Sequence, residues 1–409
     1  MKRLLILLGL LIAAPAWAGN PSAPPWNNFG ASYLGNPNAP SFSGVGAAMD
    51  FITMRFTART LWTACNGNSG DYTWTALDSA LTNAITTNGK KVVIDVEFGA
   101  NVPDCELTKL AALTPNGTYT TTWGFDLVLQ QQGVSIVPCD NYVEPLPWNS
   151  TYQADVEGVI DAVKGEVVAD GFLSSVIAVT NTMVSTNDDE ISQPAGTGTV
   201  NGITCPGGGT GSVGALPSDL QCTSACGAAP CTCNGPNDVT GLEAIGYTPS
   251  LPANAEKVIS DYYHTDFPNA AIHHMVLRNR FPGINSAGTS TGAADLLLTP
   301  QAIMKAVGPS LPPGYCEVQV NNMGYSNPTS PNMADAPNVA AGTGCWVGFQ
   351  SNGQSVNITD AHFTQAASTS FQFNPRFEEW YQTEWADEVS ANNNAITWLV
   401  NGLKGAALH

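Results

Sequence analysis

Basic residues are scarce in this chain of 409 residues. Its 14 lysines and arginines stand against 33 aspartates and glutamates, and the formal net charge is −19. A protein this acidic repels the phosphates of nucleic acids and of anionic lipids, so neither nucleic acid nor a membrane is expected as a partner. Charged residues of both signs make up only 11% of the chain. Neutral polar side chains must therefore cover much of the surface.

The chain also lacks long apolar segments beyond its first residues. Residues 1–18 read MKRLLILLGLLIAAPAWA, with a basic start, a short apolar stretch and an Ala-x-Ala cleavage site. This is the pattern of a secretory signal peptide, and the stretch is too short to span a bilayer. Without Lys2 and Arg3, 12 basic residues remain against 33 acidic ones, a net charge of −21. The mature chain, residues 19–409, is expected to be soluble and secreted or periplasmic.

All ten cysteines lie after residue 18. They are Cys65, Cys105, Cys139, Cys205, Cys222, Cys226, Cys231, Cys233, Cys316 and Cys345. An even number of cysteines in an exported chain indicates disulfides. The run CTSACGAAPCTC could alternatively hold zinc, but its spacing fits no common paired CxxC pattern and no histidine lies nearby. We therefore expect disulfide bonds, and neither a metal nor another cofactor.

Eight short apolar or β-branched runs predict eight strands, most of them buried on both faces. They begin near residues 51, 91, 133, 174, 270, 315, 345 and 376. Helical patterns lie between them, and the run QADVEGVIDAVKGEV places Val156, Val159, Ile160 and Val163 on one stripe. Successive strand starts are roughly 30 to 45 residues apart, the length of one βα unit. The gap between the fourth and fifth strands is about twice as long.

The regular alternation predicts a single (β/α)8 TIM barrel over residues 19–409. The extra length after strand 4, about 191–240, is rich in glycine and holds five cysteines. It is expected to be an insertion tied by disulfides. A doubly wound open sheet is the structural alternative.

Polar and aromatic side chains collect where the predicted strands end, which is where barrel active sites lie. Three acids, Asp188, Asp189 and Glu190, follow strand 4. The other candidates along or just after predicted strands are Arg55, Trp62, Asp95, Glu97, Trp148, Asn321, Asn322, Gln350, Asn352, Glu379, Tyr381 and Glu384. Carboxylates and amides bind sugar hydroxyls, tryptophan rings stack on sugar C–H faces, and glycosidic cleavage needs two carboxyl groups. An oligosaccharide or polysaccharide is the expected partner.

Several of these segments resemble clan A glycoside hydrolases of the β-galactosidase type. MRFTARTLW, from 54, and GDYTWTALDSALTNAITTNGKKVVIDVEFG, from 70, resemble that family's first strand and its entry into the first helix and second strand. EPLPWNSTYQADVEGVIDAV, from 144, resembles the lead into its third helix. VTNTMVSTNDDEISQP, from 179, resembles the segment after strand 4 that delivers the acid/base glutamate. The resemblance implies a (β/α)8 fold, a carbohydrate substrate, retaining hydrolysis and Glu190 as the acid/base.

The seventh strand departs from that family pattern. The family's nucleophilic glutamate ends strand 7, whereas VGFQSNG here carries Gln350 and no acid. Either Glu379 or Glu384 supplies the second carboxylate, or the strand count is off by one, or the protein no longer hydrolyses. Two functions therefore remain open: a secreted glycoside hydrolase, and a barrel that binds glycan without cutting it. The oligomeric state is not predicted.

Three further features carry structural expectations. Arg55 lies in an apolar strand and needs a buried partner, because an unpaired buried charge is costly. His273 and His274 must face opposite sides of their strand. A satisfied core histidine is expected there ahead of a sugar or metal ligand. Asp188 and Asp189 could bind calcium, but the segment lacks the spacing of an EF-hand.

The strand order also predicts disulfide partners. Cys65 and Cys105 follow neighbouring strands, and Cys316 and Cys345 begin neighbouring strands, so each pair is close enough to bond. Cys139 is expected to bond to a cysteine of the insertion and to hold it over the sugar site.

Overall fold

The computed structural model describes residues 30–34, 50–120, 143–186, 190–193, 238–276, 281–291, 297–323, 335–351 and 375–381, together with residues 295, 370 and 373. For residues 30–34, 190–191, 238, 320–323 and 381 it describes the main chain alone.

Eight parallel strands form a closed ring. They are β1 Gly30–Leu34, β2 Phe51–Thr57, β3 Lys91–Glu97, β4 Val176–Thr180, β5 Ala271–Val276, β6 Cys316–Met323, β7 Trp346–Ser351 and β8 Phe377–Tyr381. Each strand pairs with the next in sequence, and β8 pairs with β1 to close the ring. The predicted (β/α)8 barrel is confirmed, and the doubly wound open sheet is wrong.

The first strand of the ring differs from the prediction. β1 was not expected, and the run expected as a strand from 133 lies outside the described residues. In the ring β3 pairs directly with β4, with Ile94 opposite Val179. The strands predicted as first and second are therefore β2 and β3 of the ring. The strands predicted as fourth to eighth are β4 to β8. GASYL is a short segment that pairs on both sides, with β8 and with β2.

In the described residues, helices follow the strands from β2 to β6. The longer described ones are α1 Thr75–Leu81, α2 Asp104–Ala111, α3 Ser150–Ala169, α4 Asp238–Ala244, α5 Ser250–Asp266, α6 Leu298–Val307 and α7 Asp335–Ala340. A single turn, Ala58–Leu61, follows β2, and Thr82–Thr87 continues α1 as a π-helix. An antiparallel ribbon joins Thr118–Thr120 to Val143–Pro145.

Helix α3 forms as its apolar stripe predicts. Asn149 caps its first turn by accepting hydrogen bonds from the main-chain N–H groups of Thr151 and Tyr152 at 3.0 and 3.1 Å. Its residues Val156, Val159, Ile160, Val163 and Val167 are buried in the main core between the helices and the outer face of the strands. The stripe therefore fixes which side of the helix faces the barrel.

A second, smaller apolar cluster fills the lower part of the barrel interior. Its members are Phe51, Val93, Ile177, Ala178, Ala271, Trp346 and Phe377. We call this cluster the apolar floor. The inward positions one step further along each strand are mostly polar.

Two expected disulfides are confirmed. Cys65 bonds to Cys105 with a Cα–Cα distance of 5.9 Å, and Cys316 bonds to Cys345 with a Cα–Cα distance of 4.6 Å. Cys139 and the five cysteines of the insertion lie outside the described residues, so the expected bond between them stays a prediction. Among the described helices, none is both long and apolar enough to cross a membrane.

The outward face of β8 holds a carboxyl group in an apolar setting. Glu378 is fully buried, and it accepts hydrogen bonds from the Ser370 hydroxyl and from the Trp380 indole, the latter at 3.0 Å. Burial raises the pKa of Glu378 to about 8 from its usual 4.5, against the opposing effect of these two donors. The folded state therefore binds its proton more tightly than the unfolded state does.

We predict that Glu378→Gln gains stability relative to the wild type as the pH rises. A raised carboxyl pKa contributes stability below pH 4.5, and this contribution is lost as the pH rises towards about 8. Glutamine does not ionise. The free energy of unfolding of the variant, relative to that of the wild type, should therefore rise by a few kcal/mol over that pH range. Urea unfolding at pH 4.5, 6 and 8 measures it. A difference that does not change with pH would contradict the prediction.

Candidate active site

A polar layer lies above the apolar floor inside the barrel. Because side chains alternate along a strand, Thr53, Asp95, His273 and Glu379 share the inward face with Phe51, Val93, Ala271 and Phe377 of the floor. All four polar side chains are buried. Enclosed groups of this kind must be satisfied by one another, since burying a polar group without a partner is costly.

Glu379 is the centre of this layer. The amides of Gln319 and Gln350 both donate to its Oε2 atom, at 2.9 and 3.0 Å, and the hydroxyl of Thr53 donates to its Oε1 atom. The donors come from β6, β7 and β2, so three other strands hold one carboxylate of β8 in place. These three hydrogen bonds fix the orientation of the carboxylate.

Glu317 and His273 form a second buried group beside it. The Nε2 atom of His273 lies 2.5 Å from Oε2 of Glu317, and the two residues are register partners on β5 and β6. The His273 ring rests on the floor, with its centroid 4.8 Å from that of Phe377. Burial raises the pKa of Glu317; the charge of Glu379 adds to this rise, and His273 opposes it.

The space for the Glu317 carboxylate is provided by Gly348. A Cβ atom at Gly348 would lie 1.7 Å from Oε1 of Glu317 and 2.9 Å from its Cδ atom. No side chain fits there unless the carboxylate moves. The glycine in the middle of β7 is therefore explained by the acid on the neighbouring strand.

Arg55 and Asp95 form an ion pair across β2 and β3. The Nε atom of Arg55 lies 3.4 Å from Oδ2 of Asp95, whose side chain is 2% exposed, against 22% for Arg55. The expected buried partner of Arg55 is therefore confirmed. Glu97 lies two residues beyond Asp95 on the same face of β3 and is half-buried, so it continues the polar layer towards the open end of the barrel.

The main chain of Glu190 lies at the C-terminal end of β5. Residues Glu190 and Ile191 form a short strand that pairs in parallel with Met275 and Val276. The chain leaves β4 at Thr180 and returns to this position within ten residues. Glu190 thus has the place in the barrel that its segment predicts, and its proposed role stays a prediction.

The remaining expected site residues fall into three groups. The main chains of Asn321 and Tyr381 lie near the ends of β6 and β8. Glu384 lies outside the described residues, as do the expected residues Asp188, Asp189 and Asn352. Gln350 faces inward and is already bonded to Glu379.

The two expected sugar-stacking tryptophans differ in position. Trp62 is 4% exposed and belongs to the main core, so it has no free ring face for a sugar, and the expected stacking role is not supported. Trp62 follows β2, but the chain then turns back, and the main chain of Trp62 pairs with that of Tyr72. Trp148 is half-buried and packs edge-on against Tyr247 at a centroid distance of 5.6 Å. Part of its ring remains accessible.

Each histidine of β5 is buried beside a glutamate, His273 beside Glu317 and His274 beside Glu256. His274 faces outward, is fully buried, and its Nδ1 atom lies 2.9 Å from Oε1 of Glu256 on α5. Burial raises the pKa of Glu256; His274 and the Val184 N–H group oppose this rise. Neither histidine is available as a simple surface ligand.

Sequence reasoning missed Glu317 and Gln319 as members of the site. A signal was present, because CEVQV alternates apolar and polar residues in a strand that was expected to be apolar on both faces. In a closed barrel such alternation places the polar residues inside. Glu256 lies in a helix and carried no comparable signal.

The chain is similar in fold to known barrel enzymes. It matches the catalytic domain of a β-amylase from Paenibacillus polymyxa with a TM-score of 0.54 and 12% identity, covering 93% of this chain and 97% of that one. A β-galactosidase from Marinomonas ef1 matches with a TM-score of 0.43 and 10% identity, covering 91% and 59%. Xylanase XynB from Paenibacillus barcinonensis matches with a TM-score of 0.43 and 10% identity, covering 92% and 96%.

These similarities concern the fold. At 12% identity the β-amylase supports the (β/α)8 barrel that the resemblance to clan A glycoside hydrolases implied, and it assigns no residue a role. The two matches below a TM-score of 0.5 add no further argument. No protein-family profile and no curated protein matches the chain.

We predict that Gly348→Ala destabilises the protein through Glu317. The added methyl group displaces the carboxylate, and such overpacking typically costs about 1–3 kcal/mol. In a Glu317→Ala background the nearest remaining atom is the Phe377 carbonyl oxygen, at 3.3 Å, so the same change should cost much less. A double-mutant cycle of unfolding free energies measures the coupling.

A matched control is Gly165→Ala in α3, where a Cβ atom meets nothing within 4 Å. This change should stabilise the helix by up to about 1 kcal/mol. Equal destabilisation by Gly348→Ala in both backgrounds would contradict the proposed clash.

Proposed function

We propose that the protein is a secreted glycoside hydrolase that cleaves an oligosaccharide or polysaccharide with a pair of carboxyl groups. The observation that carries the proposal is the placement of Glu379. It is a buried, inward-facing carboxylate held by three donors, in a barrel at whose C-terminal end the main chain of Glu190 lies. This is the end at which (β/α)8 barrels carry their chemistry.

The two acids take different roles in this proposal. Glu190 donates a proton to the leaving-group oxygen and later takes one from the attacking water. Glu379, which Thr53, Gln319 and Gln350 hold in place, attacks the anomeric carbon, forms the glycosyl-enzyme ester and is released by water. Two displacements at one carbon retain its configuration. Glu384 is the alternative second carboxylate.

The surrounding polar residues would bind the sugar. Arg55, Glu97, Asn321 and Tyr381 lie along the inward face or at the ends of their strands, and Trp148 offers part of a ring for stacking. Gln350 has a different role here, since its amide donates to Glu379. Gln350 stands on the strand that carries the nucleophilic glutamate in the clan A pattern. From there its amide orients the Glu379 carboxylate.

A barrel that binds glycan without cutting it is the second candidate. Two observations favour it. Gln350 replaces the acid on β7, and Glu379 is only 3% exposed with three donors already bound. A carboxylate so enclosed can serve the stability of the barrel alone.

Export is part of the proposal. It is supported by the signal-peptide pattern of residues 1–18 and by the two disulfides. Disulfides persist in oxidising compartments outside the cytosol.

We predict that Glu190→Gln and Glu379→Gln both strongly impair hydrolysis of phenyl glycosides but differ in their dependence on the leaving group. The first variant cannot donate a proton, so cleavage of phenyl glycosides should fall about 10²–10⁴-fold. With 2,4-dinitrophenyl glycosides the variant should still form the glycosyl-enzyme, because dinitrophenolate leaves without being protonated. Glu379→Gln loses its nucleophile and should fail on both substrates.

Initial rates on β-galactosides, β-glucosides and β-xylosides, with NMR of the first anomer formed, measure these expectations. Glu384→Gln is the comparison that decides between the two candidate nucleophiles. Full activity of Glu190→Gln on phenyl glycosides would remove it as the acid. A wild type that binds oligosaccharide but hydrolyses none of these glycosides would favour the binding function.

A further inference from the structure

The chain that follows β4 is held from outside the barrel by a buried acid. Glu256 lies on α5 and is fully buried. Its Oε2 atom accepts a hydrogen bond from the Val184 main-chain N–H group at 3.2 Å. Its Oε1 atom pairs with Nδ1 of His274 at 2.9 Å. One carboxylate therefore connects a helix, strand β5 and the segment that leads to Glu190.

The same turn of α5 holds the segment at a second point. The side-chain amide of Asn181 donates to the Glu256 carbonyl oxygen at 3.0 Å and to the Ser260 hydroxyl at 2.9 Å. Its carbonyl oxygen accepts the Met183 N–H group at 3.0 Å. Asn181 and Val184, the first and fourth residues after β4, are thus held to the helix by buried hydrogen bonds.

This anchor is in direct contact with the short strand of Glu190. The N–H group of Ser192 donates to the Val184 carbonyl oxygen at 2.7 Å, and the Thr186 N–H group donates to the Ser192 hydroxyl at 3.2 Å. Glu190 and Ile191 pair with Met275 and Val276, which follow His274 directly. Glu256 therefore holds Val184, which bonds to Ser192 just after the short strand, and His274, which directly precedes the partner of Glu190.

We propose that Glu256 is a positioning residue that holds the Glu190 segment against β5 at the mouth of the barrel. The inference rests on the proposed function for its catalytic consequence. Without the carboxylate the buried Val184 N–H group loses its acceptor, which costs free energy unless the segment moves. A displacement of about 1 Å in a catalytic group can lower its rate about 10²-fold.

Three variants separate positioning from general stability. Glu256→Ala removes the acceptor. Glu256→Gln keeps an oxygen for Val184, and its amide group can donate to Nδ1 of His274 in the other tautomer. Asp266→Ala is the matched control, because Asp266 is a buried acid on the same helix, ten residues further along, where it pairs with Lys164 at 2.9 Å away from the segment.

The kinetic measurement compares the phenyl and 2,4-dinitrophenyl glycosides of one sugar. That sugar is galactose, glucose or xylose, whichever gives the glycosides that the wild type hydrolyses fastest. A misplaced acid impairs cleavage of the poor leaving group and spares the good one. We expect Glu256→Ala to lower kcat/KM for the phenyl glycoside about 10- to 100-fold and for the dinitrophenyl glycoside less than about 3-fold. Glu256→Gln should recover most of the loss, and Asp266→Ala should change both substrates equally and little.

A second readout is independent of activity. Hydrogen exchange measured by mass spectrometry on peptides spanning 181–193 should be faster in Glu256→Ala than in the wild type, and unchanged in Glu256→Gln and Asp266→Ala. Unchanged exchange in Glu256→Ala overturns the inference, as does an equal kinetic loss on both glycosides. A wild type that hydrolyses no glycoside overturns the proposed function instead, and the exchange data then decide whether Glu256 anchors the segment.

Discussion

The closure of the parallel ring is the constraint on which the rest of this structure depends. Once β4 pairs with β5 and β8 pairs with β1, no edge of the sheet remains, and every second residue of each strand is enclosed. Those positions can hold an apolar side chain or a polar one whose partner is also enclosed. The apolar floor and the polar layer above it are the two ways in which this chain meets that requirement.

The polar layer combines stability with the proposed chemistry. Arg55 with Asp95 and His273 with Glu317 form pairs across neighbouring strands, while Glu379 draws its donors from three strands. Each group is oriented by a partner on another strand, which is how a preorganised site is built. The same contacts could stabilise a barrel that only binds glycan, and for this reason the acid on β8 supports hydrolysis without deciding it.

Support for the mouth of the barrel comes from its outer face. Glu256 and His274 lie on the outer side of β5, yet they hold the segment that brings the main chain of Glu190 back to the same strand. The inner layer fixes Glu379, and the outer pair fixes the Glu190 segment. The two proposed catalytic acids thus depend on separate sets of buried contacts.

The sequence predicted much of the fold and part of the site. Its apolar periods located β2 to β8 and α3, and its alternation rule placed one histidine on each face of β5. The order of the strands paired Cys65 with Cys105 and Cys316 with Cys345. The main chain of the Glu190 segment lies at the C-terminal end of the barrel and Glu379 faces inward, while the catalytic roles expected of both acids stay predictions.

Other features were decided only by tertiary structure. The segment GASYL became the first strand because both of its neighbours in the ring, one of them near the other end of the chain, pair with it. Trp62 is buried by a turn whose path local pattern does not reveal. Glu317, Gln319 and Glu256 gained their positions from partners on other strands or helices. Local periodicity records which faces are buried, whereas the partner of a buried group is chosen by contacts between residues far apart in the chain.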